Sequence, residues 1–517
     1  MKTRNLFLSL FAFAAICACN KEAQPEVPQI LEDDACISVR IVTNDADTKA
    51  VSDGGFLVST TENEVKNVLF AFFAADGTFM YTKTINDWTW NTTADGDKDN
   101  TPHVEKYSNA TVVLESKTIA PRKMVAILNY TNNILTAVNG VSNLAGMYSI
   151  LETATFSWTE DAKTYFVMTN SSYWDADKSI NAFAAQIDED DIYKKDNEPS
   201  GTDHVVDVYV ERIAAKLKAQ TSNTLITTVK PLDLSNGETI KYYPKIIGYA
   251  FTGLETSSYL CKNIEGFNTN FSSNWPGWND PANKRSYWAT SCNNTLTYVD
   301  YDDVNNLVNY EIYCHENTAA SKKTKLMVKA TIMKCANGEV IDDVNDTKLD
   351  VVKVGATYYV KDDLEAAIVE ELNNSGVKIS DAAVTVGNLK YDPAVDHDGY
   401  KSKISLEGTI TAEDSKAQAI MNKYSDVLVW DDGAAYFSTA VEHLGNALTG
   451  TDYGVVRNHI YDLTVSKISG LGTPYVPGIG GDTGDPVIPE EVTYELKAKI
   501  NILQWKVVSQ DVSFGDE

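Results

Sequence analysis

The C-terminal end of the chain shows the clearest alternation of apolar and polar positions. Every second residue between 494 and 502 is apolar, and these residues are Tyr494, Leu496, Ala498, Ile500 and Ile502. A period of two predicts a β-strand with one apolar face. The phase then shifts, because the next alternating apolar residues are Leu503, Trp505 and Val507. A slip by one residue predicts a bulge or a break between two consecutive strands.

The segment before these strands has no regular pattern. Residues 470–486 read GLGTPYVPGIGGDTGDP, and this density of glycine and proline favours a flexible linker. We therefore predict a linker over residues 470–491 and terminal strands over residues 492–517. An apolar terminal strand on such a tether can complete its own sheet or a neighbour's, and the pattern leaves both open.

Strand patterns also dominate the rest of the chain. Residues 65–81 predict a hairpin with its turn at Asp76-Gly77. Further strands are predicted at 110–114, 123–129, 205–210, 245–252, 325–334, 358–360, 404–411 and 459–466. A helix is predicted at 362–373, with one apolar face formed by Leu364, Ala367, Ile368 and Leu372.

Short strands separated by turns rich in Gly, Asn and Asp predict an all-β fold of two β-sandwiches. A polar turn near Ser222 suggests where the first sandwich ends. We assign residues 50–221 to an N-terminal domain and residues 222–469 to a C-terminal domain, with an uncertainty of about twenty residues.

The N-terminus has the pattern of an export signal. A basic start, Met1-Lys-Thr-Arg4, precedes an apolar run at 6–16 that is too short to span a bilayer. Cys17-Ala18-Cys19 follows, and a small residue before a cysteine resembles the bacterial lipoprotein signal. We predict a signal peptide at 1–18 and lipidation of Cys19, which would hold the protein at a membrane face. The alternative is a conventional leader with two incidental cysteines.

The composition and net charge of the chain indicate how many cores it can form and which partners are disfavoured. The chain has 517 residues, 43% of them hydrophobic, which suffices for more than one core. Its formal net charge of −28 disfavours nucleic acid and anionic membranes as partners. Cys36 lies in the first strand pattern. Four later cysteines can form disulfides or remain buried thiols, and both readings stay open for Cys261, Cys292, Cys314 and Cys335.

Sites that could carry chemistry are incomplete. Residues 478–484 lack the strand and helix that flank a phosphate loop. Residues 95–100 have the carboxylate spacing that opens a calcium loop, but the loop lacks glycine at its sixth position and has Lys106 instead of glutamate at its twelfth. Cys314-His315-Glu316 has no matching ligand cluster. Three loop tryptophans could stack on sugars but more often cover a core: Trp275, Trp278 and Trp288. The motifs of serine hydrolases, zincins and P-loop enzymes are absent from the sequence. We therefore predict a protein that is not an enzyme and needs no cofactor or metal.

A family resemblance emerges from the lipoprotein start and five further segments in order. These segments are 65–76, 208–216 (VYVERIAAK), 285–289 (RSYWA), 313–318 (YCHENT) and 453–462 (YGVVRNHIYD). The chain resembles the fimbrillins of Bacteroidetes type V pili, in the branch of the major subunit of the minor fimbrium. The resemblance implies two transthyretin-like β-sandwich domains and a precursor lipidated by acyl groups such as palmitate. It also implies trimming by a trypsin-like protease after a basic residue, followed by polymerisation through strand exchange.

The first strand pattern fits this mechanism. Ile37, Val39 and Ile41 are apolar and alternate with Ser38 and Arg40. Removing such a strand would open an apolar groove with an unpaired sheet edge, which the C-terminal strand of another copy could fill. Burying five side chains of that strand contributes roughly 10 kcal/mol before the cost of ordering the tail is subtracted.

The resemblance also points to a cleavage site. Thr48-Lys49-Ala50 occupies the place of the family's Arg-Ala site, so we predict cleavage between Lys49 and Ala50. The lysine departs from the family's arginine, which puts the identity of the protease in doubt. Arg40 is an alternative only if its strand frays. Residues 19–49 are then the tether and strand removed on maturation.

The resulting functional prediction is a shaft pilin of a cell-surface fimbria that supports adhesion. Its precursor is anchored in the outer membrane by lipid, and its partners are further copies of itself, anchor and tip subunits, and the protease. An anchor or accessory pilin of the same fold would instead keep its N-terminal strand in mature fibres. A glycan-binding surface lipoprotein would bind polysaccharide as a monomer. A lipid-anchored enzyme is disfavoured by the missing motifs.

Overall fold

The structure is a computed structural model of the 517-residue chain. It describes residues 35–43, 62–88, 106–115, 119–152, 156–171, 173–174, 180–182, 184–194, 205–262, 296–297, 309–317, 323–336, 338, 341–342, 344–393, 402–443, 454–474, 495–504 and 509–511. Strands dominate these residues, and the predicted all-β fold is confirmed.

The first β region extends from residue 35 to residue 212. Its elements are β1 (Ala35–Thr43), β2 (Val68–Phe73), β3 (Phe79–Ile85), β4 (Lys106–Val113), β5 (Lys123–Leu128), α1 (Asn132–Asn139), α2 (Leu144–Met147), β6 (Leu151–Glu152), β7 (Ser157–Glu160), β8 (Lys163–Phe166), β9 (Met168–Asn170), β10 (Tyr173–Trp174), β11 (Ile180–Ala182), β12 (Ala185–Gln186), β13 (Ile192–Lys194) and β14 (Val205–Arg212).

The second β region begins at residue 214. Its first strands are β15 (Ala214–Thr227), β16 (Lys230–Asp233), β17 (Thr239–Thr252), β18 (Leu254–Glu255), β19 (Ser258–Tyr259), β20 (Leu296–Thr297), β21 (Asn309–His315), β22 (Lys325–Lys334) and β23 (Thr347–Lys348). The elements that follow are β24 (Val351–Val354), β25 (Thr357–Val360), α3 (Lys361–Asn374), β26 (Lys378–Ile379), β27 (Ala382–Ala383), β28 (Leu389–Pro393), β29 (Ser402–Leu406), β30 (Ile410–Ala412), α4 (Asp414–Met421) and β31 (Val427–Trp430). The last strands are β32 (Ala434–Ala440), β33 (His459–Ser469), β34 (Glu495–Gln504) and β35 (Ser509–Asp511).

The first region is organised by one sheet in the order β13-β1-β14-β9-β5-β2-β3, with β12 paired to β5 and β4 paired to β1. Its strand β2 is apolar at all six positions and is buried throughout, because both faces of the sheet are covered. Phe70 and Phe72 join the core that contains β1, whereas Leu69 and Phe73 pack with the apolar residues of α1 and α2. The predicted hairpin is confirmed as β2 and β3, which pair antiparallel around Asp76.

The second region is a sandwich of two sheets. One has the order β21-β15-β33-β34-β35, and the other has the order β16-β17-β22-β23 with β32 paired to β22. Their facing apolar residues form one core, which includes Leu217, Phe251, Val328, Phe437 and Leu463. Alternation along these strands places every second side chain in this core.

The sequence analysis did not predict the α+β module that lies between β23 and β32. A sheet of order β25-β24-β31-β29-β28 packs against α3 and α4 around Val352, Ile368 and Ile404. The predicted helix is confirmed as α3, and Leu364, Ile368 and Leu372 of its predicted apolar face are buried. Ala367 is exposed instead, and Glu365 is buried. The strand predicted at 404–411 is divided into β29 and β30 by Gly408. Its φ is +113° and a Cβ there would lie 2.5 Å from Ile379, so this position requires glycine.

The two regions are joined by a single residue. β14 ends at Arg212 and β15 begins at Ala214, so only Ile213 separates a strand of the first sheet from a strand of the second. Residues 214–221, which we had assigned to the first domain, therefore pair within a sheet of the second region.

Candidate assembly site

The first strand is enclosed by partners on both sides. In β1, Ala35–Ile37 pairs antiparallel with β13, and the stretch from Cys36 to Thr43 pairs antiparallel with β4. On the other side, Ser38–Thr43 pairs parallel with β14. The strand is therefore an internal member of its sheet and not an appended edge.

Apolar burial adds to this pairing. Ile37 is fully buried and Ala35 is 5% exposed, and both belong to the same core as Val112 of β4 and Val208 of β14. The predicted residues Val39 and Ile41 stand opposite Val206 and Val208 in the register. At the start of the strand, the Leu114 N–H donates to the Ala35 carbonyl at 2.9 Å. Withdrawing β1 would therefore expose apolar side chains and break hydrogen bonds on two sides.

Three neighbouring strands depend on β1 for their pairing. Among the described residues, β4 and β13 pair with β1 alone. β14 has a second partner, β9, but that ladder covers only the last three residues, Val210 to Arg212. The stretch of β14 from Val205 to Tyr209 is paired with β1 only, within the same part of the chain.

The C-terminal strand completes a sheet of its own chain. β34 pairs antiparallel with β33 from Glu495, opposite Ser469, to Gln504, opposite His459. Four of its predicted apolar residues stand opposite buried residues of β33, namely Leu496 opposite Ile468, Ala498 opposite Val465, Ile500 opposite Leu463, and Ile502 opposite Tyr461. Tyr494, Trp505 and Val507 lie outside the described residues. A short strand, β35, pairs with β34 on its other side.

The predicted break at Ile502 and Leu503 is wrong. Both residues lie in a continuous stretch of the ladder between β34 and β33, opposite Tyr461 and Ile460. The register shift instead falls on the partner strand, between Val465 and Lys467. A bulge in β33 changes the pairing without any change in the apolar pattern of β34, so the pattern of β34 could not locate it.

The first residues of the predicted linker are fixed. Leu471 is 6% exposed, and its carbonyl accepts a hydrogen bond from Trp430 Nε1 at 2.9 Å. Thr473 and Tyr436 exchange backbone hydrogen bonds of 2.8 Å. Gly472 has a φ of +60°, and a Cβ there would lie 2.7 Å from the Tyr436 carbonyl oxygen. A flexible segment can thus begin only after these residues, and residues 475–494 lie outside the described part.

A buried polar cluster lies where the two regions meet. Glu62 Oε1 accepts hydrogen bonds from Lys216 Nζ at 2.9 Å and from the Tyr313 hydroxyl. The backbone carbonyl of Glu62 accepts a bond from Arg212 Nε at 2.9 Å, and Asn458 Oδ1 accepts one from Arg212 Nη1 at 3.1 Å. We call these five residues the junction clamp. The other four residues of the clamp belong to segments 208–216, 313–318 and 453–462, which carry the fimbrillin resemblance. The fold brings these three segments together.

Two further ion pairs flank the clamp. Lys262 Nζ lies 3.2 Å from Glu211 Oε1, and both side chains are fully buried. Arg457 contacts Glu316 at 3.0 Å and donates to the Leu260 carbonyl at 3.0 Å. Charges removed from water require such partners, because an unpaired buried charge is strongly destabilising.

The sequence analysis did not identify the clamp or its flanking pairs. A visible signal was the Glu211-Arg212 pair, which places two charges inside the apolar strand pattern of residues 205–219. Charged residues in a buried strand indicate internal partners. Glu62 carried no such signal, because it stands in a polar stretch.

The environment fixes the charge states at the junction. Burial alone raises the pKa of Glu62, but the hydrogen bonds from Tyr313 and Lys216 outweigh it and hold this pKa below its usual value. Burial and the nearby Arg457 lower the pKa of His315 to about 4. Glu62 is therefore ionised and His315 is neutral near neutral pH. The His315 Nδ1 atom lies 3.1 Å from the Ser258 hydroxyl oxygen.

Some of the remaining predicted sites lie within the described residues and others lie outside them. Cys261, Cys314 and Cys335 are buried free thiols, so the thiol reading holds for these three cysteines. Within the described residues, no cluster of His, Cys, Asp and Glu could hold a metal ion, and no helix is long and apolar enough to cross a membrane. Outside the described residues lie Cys19, Lys49, Ala50, Cys292, the three loop tryptophans, and segments 95–100 and 478–484.

Comparison with known families assigns the C-terminal part of the chain. Residues 429–511 match the family model described as "Major fimbrial subunit protein type IV, Fimbrillin, C-terminal". This stretch includes β33, β34 and β35, which form one edge of the second sandwich. The fimbrillin resemblance predicted from the sequence is thereby confirmed. No curated protein matches the chain.

The solved structures that match most of the chain include three fimbrial proteins. A fimbrilin from Porphyromonas gingivalis is 14% identical, with 90% of this chain and 96% of that chain covered and a TM-score of 0.38. The tip fimbrial protein Mfa3 of the same organism is 10% identical, with 90% and 99% covered and a TM-score of 0.31. The fimbrial anchor protein Mfa2 from Porphyromonas gingivalis is 8% identical to this chain. The match covers 91% of this chain and 99% of that chain, with a TM-score of 0.24.

Proposed function

We propose that the protein is a structural subunit of a cell-surface fimbria, exported as a lipoprotein and polymerised by strand exchange. The family match supports the fimbrial role, because the matching model describes a major fimbrial subunit. The position of β1 carries the assembly mechanism. It is the internal strand on which β4, β13 and half of β14 depend, so its removal creates an acceptor for one replacement strand.

The replacement strand is the C-terminal segment of another copy. β34 is ten residues long, against nine for β1. Its residues Leu496, Ala498, Ile500 and Ile502 keep the period of two that an acceptor with one apolar face requires. A stretch rich in glycine and proline connects β33 to β34, so β34 can leave β33 and enter another molecule without a cut.

Trimming is the step that releases β1. Residues 44–61 connect β1 to the anchored residue Glu62, and the predicted site, Lys49 and Ala50, lies in this connection. Hydrolysis there leaves β1 attached only to the lipid-bearing tether that begins at Cys19. The lipid then keeps the precursor at the outer membrane until cleavage, and anchor and tip subunits of the same strand-exchange type terminate the fibre.

N-terminal sequencing of fibres sheared from cells tests this proposal. The expected sequence begins at Ala50, and the peptide containing β1 is absent from the fibre. A Cys19→Ala variant supplies the control, because it should fold normally but give few surface fibres. Fibres whose subunits still begin at Cys19 would contradict the trimming step and would favour an anchor subunit that retains β1.

A further inference from the structure

An acceptor from which β1 has left would lose much of its own strand pairing. β4 and β13 then have no strand partner among the described residues, and β14 has none between Val205 and Tyr209. Unpaired strands lose the hydrogen bonds that fix their position, so they open easily. An incoming strand must nevertheless pair with β14 in a defined register and direction.

The end of β14 is the part that stays fixed. Val210 to Arg212 remains paired with β9. Arg212 is 2% exposed and donates to the Glu62 carbonyl and to Asn458, while the neighbouring Glu211 is paired with Lys262. None of these contacts includes β1, so all of them persist after its removal.

Glu62 itself is secured from the first region. Asn129 donates from Nδ2 to the Glu64 carbonyl at 2.8 Å and accepts from the Lys66 N–H at 2.8 Å. A cut anywhere between residues 44 and 61 therefore separates a departing β1 from a chain that stays attached at Glu62.

We propose that the junction clamp positions β14 as the permanent wall of the acceptor, so that a trimmed subunit can receive a strand in the correct register. This inference rests on the proposed function, since it concerns the same strand exchange. Glu62, Arg212 and Asn458 are positioning residues, because they act on the incoming strand only through β14. Buried charges held by several partners resist displacement, which suits them to this role.

Two matched pairs of variants test the clamp. Asn458 has a φ of +59°, so Asn458→Gly removes the acceptor of Arg212 without straining the backbone. Asp381→Gly is its control, because Asp381 has a φ of +63° and is exposed in the α+β module. Glu62→Gln removes the clamp's carboxylate, and Glu64→Gln is its control, since Glu64 pairs with the exposed Lys163 at 3.1 Å.

The measurement uses the full chain before and after tryptic cleavage between residues 43 and 62, with the cut confirmed by N-terminal sequencing. A fluorescent peptide with the sequence of residues 492–517 reports strand uptake by anisotropy. We expect Asn458→Gly and Glu62→Gln to slow uptake by the trimmed chain roughly tenfold or more, because the first removes a hydrogen bond to the buried Arg212 and the second removes the negative charge that pairs with Lys216. The two control variants should match the wild type.

Three outcomes separate the possibilities. The clamp is supported as a positioning device if three results occur together for Asn458→Gly. Hydrogen exchange of β14 rises in the trimmed chain, uptake of the peptide is slow, and the melting temperature of the uncut chain is nearly unchanged. Wild-type uptake rates in both clamp variants, or a loss of rate that only follows the melting temperature of the uncut chain, would overturn it. A wild-type trimmed chain that takes up no peptide would instead overturn strand exchange itself, and so the proposed function.

Discussion

The first strand, β1, and the long C-terminal strand, β34, are held in contrasting ways. β1 has partners on both sides and is the sole partner of two other strands in the described part of the chain. β34 has one long ladder, with β33, and a short one of three pairs with β35. β33 in turn keeps a second partner, β15, along most of its length.

This difference separates the roles of the two strands. Withdrawing β1 breaks the pairing of its neighbours, so we expect it to leave only after the chain has been cut. Withdrawing β34 together with β35 leaves β33 still paired with β15, so we expect the sandwich to lose one end of a sheet and to keep its core. A removable strand at one end and a transferable strand at the other are what a self-assembling subunit needs.

Deletion of residues 492–517 tests the transferable strand most directly. The truncated chain should fold, because the core of the second region draws on β15, β17, β22, β32 and β33. It should form no polymer, since it has no strand to donate, yet it should accept the tail of an intact neighbour and end the fibre. Electron microscopy and a ladder on SDS gels measure this with trimmed protein. Normal fibres from the tailless chain would show that another segment is donated, and failure to fold would make β34 an ordinary core strand.

Trimming of the precursor tests the dependence of the neighbouring strands. Hydrogen exchange of β4, β13 and the first half of β14 should accelerate by orders of magnitude, because their ladders end with β1. Exchange of β2 and β5 provides the internal control, since they pair with each other. Adding the tail peptide should restore protection. Uniform acceleration across all five strands would mean that the whole region unfolds.

An Ile37→Asp substitution tests how firmly β1 is held before cleavage. Ile37 is fully buried, so a carboxylate there should lower the free energy of unfolding of the precursor by several kcal/mol. Ser38→Asp is the neighbouring control, because Ser38 is only half-buried and its hydroxyl lies 2.8 Å from the Tyr193 hydroxyl. Urea denaturation of both variants gives the comparison, and equal stability losses would count against an inward apolar face.

Substitutions in the tail test whether its two faces differ in the same way. Ile500→Asp should weaken donation by several kcal/mol, because it introduces a charge where a groove requires an apolar residue. Lys499→Asp, one position away and on the opposite face by the period of two, should matter much less. Competition between variant and wild-type tail peptides for trimmed protein measures the difference. Similar losses would mean that the donated strand has no preferred face.

The smallest expected effect concerns acid. Burial raises the pKa of Glu62, but the hydrogen bonds from Tyr313 and Lys216 outweigh it and keep this pKa below the usual value for a glutamate. A depressed carboxyl pKa gives a stabilisation that is complete above about pH 4.5 and disappears as the pH falls through the folded-state pKa. The stability difference between wild type and Glu62→Gln should thus shrink in acid, as thermal denaturation from pH 7 to pH 3 can show. A constant difference would mean that the ionised carboxylate contributes nothing specific.

Local signals in the sequence predicted local structure well. The Asp76-Gly77 turn located the first hairpin, and the predicted strand at 325–334 has the same bounds as β22. Both depend on residues that are close in the chain, where turn chemistry and a period of two determine the outcome.

Features that depend on distant partners were not predictable in the same way. The clamp joins Glu62 to residues that are 150 or more positions away, and its bonds follow from tertiary packing alone. Leu471 and Thr473 lie in a stretch rich in glycine and proline, yet Trp430 and Tyr436 hold them in place. The composition of a segment indicates which conformations it favours in isolation, whereas tertiary contacts determine the conformation that it adopts in the fold.

The single residue between β14 and β15 has a mechanical meaning. In a fibre, pulling on a strand seated in the place of β1 would load β14 in shear along its parallel ladder. The force would then pass through Ile213 into β15, and across the parallel ladder with β33 to the subunit's own tail. The α+β module between β23 and β32 lies off this line. Its surface can therefore vary or carry attachments without altering the tensile strength of the fibre.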